Sequence, residues 1–265
     1  MFRVFIYRDT FNLGDAIQTF ALCRLLGEPC FGIYRDEQFP IRGQNLPLIV
    51  NGWLGWSTTP KPSTNCVFAG VHVGWHADHY VDWLRNANCV VGARDPYTHE
   101  LLQNSKVGSE MIGCATLTLP RYQGPRSGKY SVDVAPYPGT IHLTNSIAAI
   151  GWSEQWELAA TRLDQLRKAA IVYTKRLHVI LPCLAFGTPV ILPSNEWVTV
   201  CDKRRMSLLH ALGFELDREM VMDVSDLAST YVRFVERTIG RSMQPTDDSS
   251  MPVPLLDVNS PATTQ

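Results

Sequence analysis

The sequence predicts an α/β protein with parallel sheets flanked by helices. Short apolar runs typical of strands alternate with runs of helical spacing along most of the 265 residues. Several predicted strands, such as residues 89–93, are almost wholly apolar, which indicates sheets covered on both faces. The alternation breaks at residues 120–139, which are rich in proline and glycine, and then restarts. Two Rossmann-like lobes that face one another fit this pattern.

The first half is predicted to form an N-terminal lobe over residues 1–125. It opens with a strand at 2–7 and a helix at 16–26, in which Ile17 and Phe20 are spaced for one helix face. Proline at position 96 suits the first turn of a helix. The remaining elements of this half are strands at 31–34, 46–50, 67–73 and 89–93, helices at 79–85 and 96–103, and a closing segment at 111–119.

The second half is predicted to form a C-terminal lobe over residues 138–240, after a linker or long loop at 120–139. Its predicted strands are at 140–143, 170–173, 189–192 and 220–224, and its predicted helices at 154–167, 177–186, 206–212 and 226–239. From about residue 241 the composition shifts to proline, serine, threonine and aspartate. Residues 241–265 are therefore predicted to be a disordered tail.

Composition narrows the possible partners. Lys plus Arg number 24 and Asp plus Glu number 25, which gives a net charge of −1 and no general basic field. Nucleic acid is therefore not expected as a general partner, although a modified base stays open as an acceptor. The seven cysteines are odd in number and lack Cys-x-x-Cys spacing, so we expect reduced core residues of a cytoplasmic protein. No apolar run is long enough to span a membrane.

A first candidate site follows the first strand. Asn12, Gly14, Asp15 and Gln18 surround the start of a predicted helix, where backbone N–H groups can bind an anion. Asp15 also complements the helix dipole. The alternative is that Asn12 or Asp15 only caps the helix. A Gly-x-Gly-x-x-Gly motif is absent, which argues against a dinucleotide site.

A second candidate site follows the apolar strand at 89–93. Arg94 and Asp95 stand between that strand and Pro96. Ligands of parallel sheets bind at the carboxyl ends of the strands, so Arg94 is placed to hold an anionic substrate. The alternative is an Asp95 helix cap beside a surface arginine.

A third candidate site follows the strand at 170–173. Thr174 can cap the next helix, while Lys175 and Arg176 place two cations at its N-terminus. The helix dipole disfavours cations there, and such a broken rule is expected where an anion binds. His178 beside Arg176 can serve as a proton donor.

A fourth candidate site contains His72, His76, Asp78 and His79, which invite comparison with a metal site. Their spacing matches no established zinc pattern, and no cysteine is close in sequence. We therefore predict no metal and interpret these histidines as hydrogen-bonding residues, with His72 as a possible substrate contact.

Four segments in this order resemble the polysaccharide pyruvyl transferase family. They are NLGDAIQTFAL from Asn12, GARDPYTHELL from Gly92, IGCATLTL from Ile112 and YTKRLHVILPCLAFGTPVILP from Tyr173. The resemblance covers roughly residues 3–215, and Arg-Leu-His at 176–178 is its most specific part. Lys175 stands where the family usually has serine, and Ala93 where it usually has cysteine or serine.

The resemblance implies a GT-B-like fold, with the acceptor on the first lobe and the donor on the second. It implies transfer of a pyruvyl group from phosphoenolpyruvate, an anionic small molecule, to a sugar hydroxyl of a glycan, without a cofactor. Arg94, Arg176 and Leu177 would line the donor site. His178 would be the general acid or a phosphate ligand, and Asp15 the base. The predicted substrate-binding set also includes Asn12, Gly14, Gln18, His72 and Thr174.

Two other functions stay open at this point. GT-B folds also transfer glycosyl groups from nucleotide sugars to a glycan or a modified nucleic-acid base. Arg176 and His178 would then hold the diphosphate, and Glu196 the ribose. The other alternative is an inactive binding module, against which the intact arginine, histidine and aspartate set argues.

Overall fold

The computed structural model describes residues 1–7, 11–34, 46–55, 66–74, 77–87, 89–148, 150–196, 204, 206–243 and 256–257. The strands are β1 Phe2–Ile6, β2 Cys30–Tyr34, β3 Leu48–Leu54, β4 Cys66–Val73, β5 Val91–Ala93, β6 Ser109–Met111, β7 Lys129–Val132, β8 Ile141–Leu143, β9 Ile171–Thr174, β10 Val190–Ile191 and β11 Leu256–Asp257. The helices are α1 Leu13–Leu26, α2 Ala77–Asn86, α3 Pro96–Asn104, α4 Trp152–Lys168, α5 Leu177–Phe186, α6 Ser207–Ala211 and α7 Ser225–Ile239. Short 3-10 turns lie at Ala115–Thr118 and Ser194–Glu196.

The strands form two parallel sheets. The first has the order β11-β2-β1-β3-β4-β5-β6, and the second has the order β10-β9-β7-β8. Every residue of β1 is buried, as expected for a strand covered on both faces. The α/β class with parallel, helix-flanked sheets is confirmed. The arrangement of two lobes around a cleft stays a prediction.

Helix α1 lies between the two sheets. Only Asp15 and Arg24 of its 14 residues are not buried, so the helix is apolar on nearly all sides. Phe20 packs on Trp156 of α4 with the ring centroids 4.8 Å apart. One hydrophobic core includes residues of α1, α4 and α5 and of both sheets. Because α1 and α5 share this core, their first turns are held in a fixed position relative to each other.

Several predicted boundaries are wrong. The predicted linker at 120–139 contains β7, which lies inside the second sheet between β8 and β9. Four residues flanked by Gly128 and the prolines near 135–138 are too few to show a strand period. The predicted strand at 220–224 is reduced to one antiparallel bridge between Met220 and Val190. The closing segment at 111–119 is the end of β6 followed by a 3-10 turn.

Described residues near the C-terminus pack on the first sheet. Helix α7 was assigned to the second lobe, yet its Tyr231 hydroxyl donates to the Ala69 carbonyl of β4 at 3.1 Å. Arg241 pairs with Glu28 at 2.6 Å. Hydrogen bonds from Arg241 and from the N-terminal amine lower the pKa of Glu28 to about 2. Disorder from residue 241 is thus wrong for Arg241, for the buried Met243 and for β11, which pairs with β2.

Candidate functional site

The N-terminus of α1 is held against the loop that follows β8. The Asn12 side chain caps the helix by accepting from the Gly14 amide at 3.1 Å. The Leu13 amide donates to the Asn145 carbonyl at 2.8 Å, and Asn12 forms an isolated bridge with Ser146. The capping role of Asn12 is confirmed, and its substrate-binding role stays a prediction. The same bonds join the chain beyond β1 to the chain beyond β8, so the carboxyl ends of both sheets meet here.

The first turn of α5 lies against the first turn of α1. Thr174 Oγ1 accepts from the Arg176 amide at 3.0 Å and so fixes the entry to α5. His178 is 9% exposed, and its ψ of 21° departs from regular helix. A Cβ added to Gly14 would lie 3.0 Å from His178 Nδ1. The imidazole therefore packs closely on the backbone at Gly14, where a Cβ would require its neighbours to shift by a few tenths of an ångström.

Arg176 is held by two hydrogen bonds at the edge of the second sheet. Its Nε donates to Asp133 Oδ2 at 2.7 Å, and its Nη2 donates to Ser146 Oγ at 2.7 Å. The side chain is 32% exposed. Its cationic group is thus oriented beside the residues that bridge α1, while part of it stays open to solvent.

Asp133 organises this edge. It also accepts from the Thr144 hydroxyl at 2.5 Å and from the Asn145 amide at 3.0 Å. Burial opposes its ionisation, but these bonds and the Arg176 guanidinium hold the pKa of Asp133 below its usual range. The buried Arg162 donates to the Asn145 side chain and, at 3.1 Å, to the Thr144 carbonyl. Sequence reasoning missed Asp133 because it follows β7, inside the predicted linker.

Arg94 belongs to a buried group at the carboxyl edge of the first sheet. Its Nε donates to Asp95 Oδ2 at 3.2 Å, and His72 Nδ1 lies 2.7 Å from the same oxygen. Asp95 Oδ1 also caps α3 by accepting from the Thr98 amide at 2.9 Å. The predicted cap at Asp95 is therefore confirmed, but the surface-arginine alternative is wrong because Arg94 is 1% exposed.

Two basic neighbours stabilise the carboxylate of Asp95. Burial opposes ionisation of Asp95, yet His72 and Arg94 lower the pKa of its carboxyl below the usual range. Within the described part of the chain, Arg94 Nη2 is buried and has no hydrogen-bond partner. His72 contacts both Asp95 and Thr98 in this group, and a substrate contact at His72 stays a prediction.

Asp15 and Gln18 lie on α1 and link this helix to the first sheet. Gln18 Nε2 donates to Asp15 Oδ1 at 3.3 Å and approaches the Tyr7 hydroxyl at 3.5 Å. That hydroxyl donates to the Asn51 carbonyl at 3.2 Å. The chain of contacts leads from α1 to the middle of β3. Asn51-Gly52-Trp53 also fits the family resemblance in the sequence, but Asn51 is not among the predicted site residues.

Glu196 and Leu177 complete the predicted set. Glu196 Oε2 accepts from Lys175 at 2.8 Å, and its Oε1 accepts from the Ala135 amide at 3.2 Å. Both oxygens are thus engaged within the protein, and a ribose contact at Glu196 stays a prediction. Leu177 is buried in the first turn of α5, where it adds apolar surface beside Arg176.

The fourth motif does not come together as a metal centre in the described residues. There, no group of three or more histidine, cysteine, aspartate or glutamate side chains is placed to bind a metal ion. Asp78 and His79 lie at the start of α2, and His76 falls outside the described residues. The absence of a metal requirement stays a prediction.

Gly14→Ala tests the contact between α1 and α5. The new methyl group would press on His178, which must move by a few tenths of an ångström. Small displacements of catalytic groups are costly, so we expect kcat to fall roughly tenfold while the melting temperature stays close to that of the wild type. Gly108→Ala is the matched control, because a Cβ there meets nothing within 4 Å. Equal kcat values for the two variants would contradict the contact's importance.

Comparisons with known proteins agree with these features. A family model described as polysaccharide pyruvyl transferase matches residues 12–195, which include both arginines and His178. A structure from Klebsiella pneumoniae, of a protein whose function is uncharacterised, shares the fold with a TM-score of 0.51 and 13% identity. The match covers 83% of this chain and 93% of that one. No curated protein matches the chain significantly.

Among the described residues, none of the helices combines the length and the apolar character needed to cross a membrane. The six cysteines that the structure describes are free thiols, and four of them are buried.

Proposed function

The chain belongs to the polysaccharide pyruvyl transferase family, and we propose that it moves a pyruvyl group from phosphoenolpyruvate to a sugar of a glycan. The observation that supports this most is the packing of His178 on Gly14 beside the oriented guanidinium of Arg176. A proton donor and a cation thus meet where two helices begin. The helix dipoles at both N-termini favour an anion at this place.

The donor requires cations at both ends. Phosphoenolpyruvate has a carboxylate and a phosphate, and a guanidinium binds either group through two parallel hydrogen bonds. We propose that Arg176 binds one of these anionic groups. Arg94 is proposed for the other, because its buried Nη2 has no partner in the described part of the chain. Leaving such a donor unsatisfied is unfavourable, so an anion that reaches it binds with added strength.

The reaction joins two hydroxyl groups of one sugar to the central carbon of the donor. A proton adds to the methylene carbon and converts it to a methyl group, while the first hydroxyl oxygen bonds to the central carbon. The second hydroxyl oxygen then displaces phosphate from that carbon. The two hydroxyl protons replace the proton given to the methylene and the one taken by the leaving phosphate. The products are a cyclic pyruvate ketal and inorganic phosphate.

The chain's own residues divide the proton transfers. His178 is proposed as the general acid, because it lies beside Arg176 at the donor end of the site. Asp15 is proposed as the base for the attacking hydroxyl, since it lies in the first turn of α1 and is half-buried. The Gln18 amide donates to Asp15 and fixes its carboxylate. Each transfer contributes about 10²–10⁴-fold to the rate in enzymes of this kind.

Replacing the arginines by lysine tests donor binding. Arg176→Lys and Arg94→Lys keep the positive charge but lose the planar guanidinium that forms two parallel hydrogen bonds. The change removes about 1.5–3 kcal/mol of charge-assisted hydrogen bonding. We expect the Kd for phosphoenolpyruvate, measured by calorimetric titration, to rise roughly ten- to a hundredfold in each variant. Arg218→Lys is the control, because Arg218 is exposed and pairs only locally with Glu215. Binding of uridine diphosphate glucose by wild-type protein, with no binding of phosphoenolpyruvate, would contradict the proposed donor.

A further inference from the structure

Asn51 is a buried polar residue whose side chain forms no hydrogen bond with the described part of the chain. Its side chain is 2% exposed, and neither its Nδ2 nor its Oδ1 has a hydrogen-bond partner among the described residues. Gln18 is 1% exposed, and its Oε1 also lacks a partner there. Each such atom destabilises the folded protein. Gln18 and Asn51 are linked through the Tyr7 hydroxyl, and three unpartnered atoms on two linked residues need an explanation other than folding.

The local backbone is built to hold these amides together. The register between β3 and β4 shifts between Val50 and Gly52, where Asn51 stands opposite two residues of β4, Ala69 and Gly70, so β4 carries the extra residue of a bulge. Such bulges redirect side chains next to functional sites. Gly52 has a φ of +88°, and a Cβ there would lie 2.6 Å from Gln18 Nε2. The glycine thus allows the Gln18 amide to lie directly against the backbone of the bulge.

The unsatisfied atoms specify the chemistry of a ligand. Asn51 Oδ1 and Gln18 Oε1 accept hydrogen bonds, so the ligand must donate them. The orientation of the Gln18 amide is fixed, because a flipped amide would set its oxygen against the carboxylate of Asp15, 3.3 Å away. Phosphate and carboxylate groups only accept hydrogen bonds, so the anionic donor does not match these atoms. Hydroxyl groups, which both donate and accept, match them.

We propose that Asn51 and Gln18 bind hydroxyl groups of the acceptor sugar. Gln18 donates to Asp15, whose half-buried carboxylate forms the outer end of this row of polar groups. A sugar that presents one hydroxyl to Asp15 therefore lies one hydrogen bond away from the two amides. The ketal chemistry requires two hydroxyls of the same sugar, and a carboxamide with one donor and one acceptor suits such a pair. This role rests on the proposed function for its place in the reaction.

Asn51→Leu separates a ligand-binding role from a structural one. Leucine has a similar shape and removes two unsatisfied polar atoms, so we expect an unchanged or higher melting temperature. The probes are the methyl glycosides of glucose, galactose, mannose and N-acetylglucosamine, with binding followed by saturation-transfer NMR. We expect wild-type protein to bind at least one of them and Asn51→Leu to bind it at least tenfold more weakly. Affinity for phosphoenolpyruvate should stay within about twofold of wild type, since no donor contact is removed.

Trp83→Phe is the matched control. It removes another buried polar atom that has no partner among the described residues, Trp83 Nε1 in α2, a helix that contributes no residue to the proposed site. Sugar binding should be unchanged in this variant. A lower melting temperature in Asn51→Leu, equal sugar affinity in Asn51→Leu and wild type, or no binding of any probe to wild type would each overturn the proposal. Sugar binding that depends on Asn51 in a protein that does not bind phosphoenolpyruvate would instead leave it standing and overturn the donor assignment.

Discussion

His178→Ala lowers kcat by about 10²–10⁴-fold, the range expected when a general acid is lost. The imidazole packs on Gly14 at the meeting point of α1 and α5, next to Arg176. Asp15, the titratable residue next to Gly14, is proposed as the base, which leaves His178 as the acid. The measurement is steady-state phosphate release at saturating phosphoenolpyruvate and sugar, together with the melting temperature of the variant.

His142→Ala is the control for that experiment, because His142 is an exposed residue of β8. We expect it to keep the wild-type rate. A His178→Ala enzyme that is correctly folded and retains more than about a tenth of the wild-type rate would remove His178 from the chemistry. A variant with normal kcat and a raised KM for the donor would leave His178 as a phosphate ligand.

Asp95→Asn destabilises the protein by about 3–5 kcal/mol, as expected when one partner of a buried ion pair is removed. The substitution leaves the guanidinium of Arg94 buried without its counter-ion and disturbs the contact with His72. For a protein of this size the melting temperature should fall by about 6–20 °C. Chemical denaturation at pH 7 gives the free energy of unfolding directly.

The stabilisation that Asp95 provides depends on pH, and the direction of the change follows from its pKa. The pKa of Asp95 is lowered in the folded protein, so its contribution is present above the ordinary carboxyl pKa of about 3.9. The contribution is lost as the pH falls through the lower, folded-state pKa. The gap in stability between wild type and Asp95→Asn should therefore narrow below about pH 4. Asp82→Asn, in an exposed pair with Arg85, should change stability by less than about 0.5 kcal/mol at either pH. Equal stabilities of Asp95→Asn and wild type at pH 7 would contradict the account of this buried group.

Local signals made α5 and its surroundings predictable. The helix was predicted at 177–186, where the structure has it, because Thr174 can bond the first turn and Gly187 ends the last one with a φ of +69°. Arg176 stands at a helix N-terminus, where the helix dipole disfavours a cation. In the structure its guanidinium pairs with the carboxylate of Asp133. A rule broken within a few residues can be detected in the sequence itself.

Contacts between distant residues were not predictable in the same way. Asp133 and Arg176 are 43 positions apart, and nothing near Asp133 in the sequence marks it as a partner. Tyr231 of α7 donates to a carbonyl 162 positions away, which the amphipathic pattern of the helix cannot specify. The buried side chain of Asn51 has no hydrogen-bond partner among the described residues, and only the structure shows this.

The most direct test of pyruvyl transfer is proton NMR of the protein incubated with phosphoenolpyruvate and the four methyl glycosides. We expect wild-type protein to release phosphate only when a suitable sugar is present, with one new ketal methyl signal for each phosphate. We expect neither product with His178→Ala. Release of phosphate without a ketal, or a glycosidic product formed from uridine diphosphate glucose in place of the ketal, would contradict it.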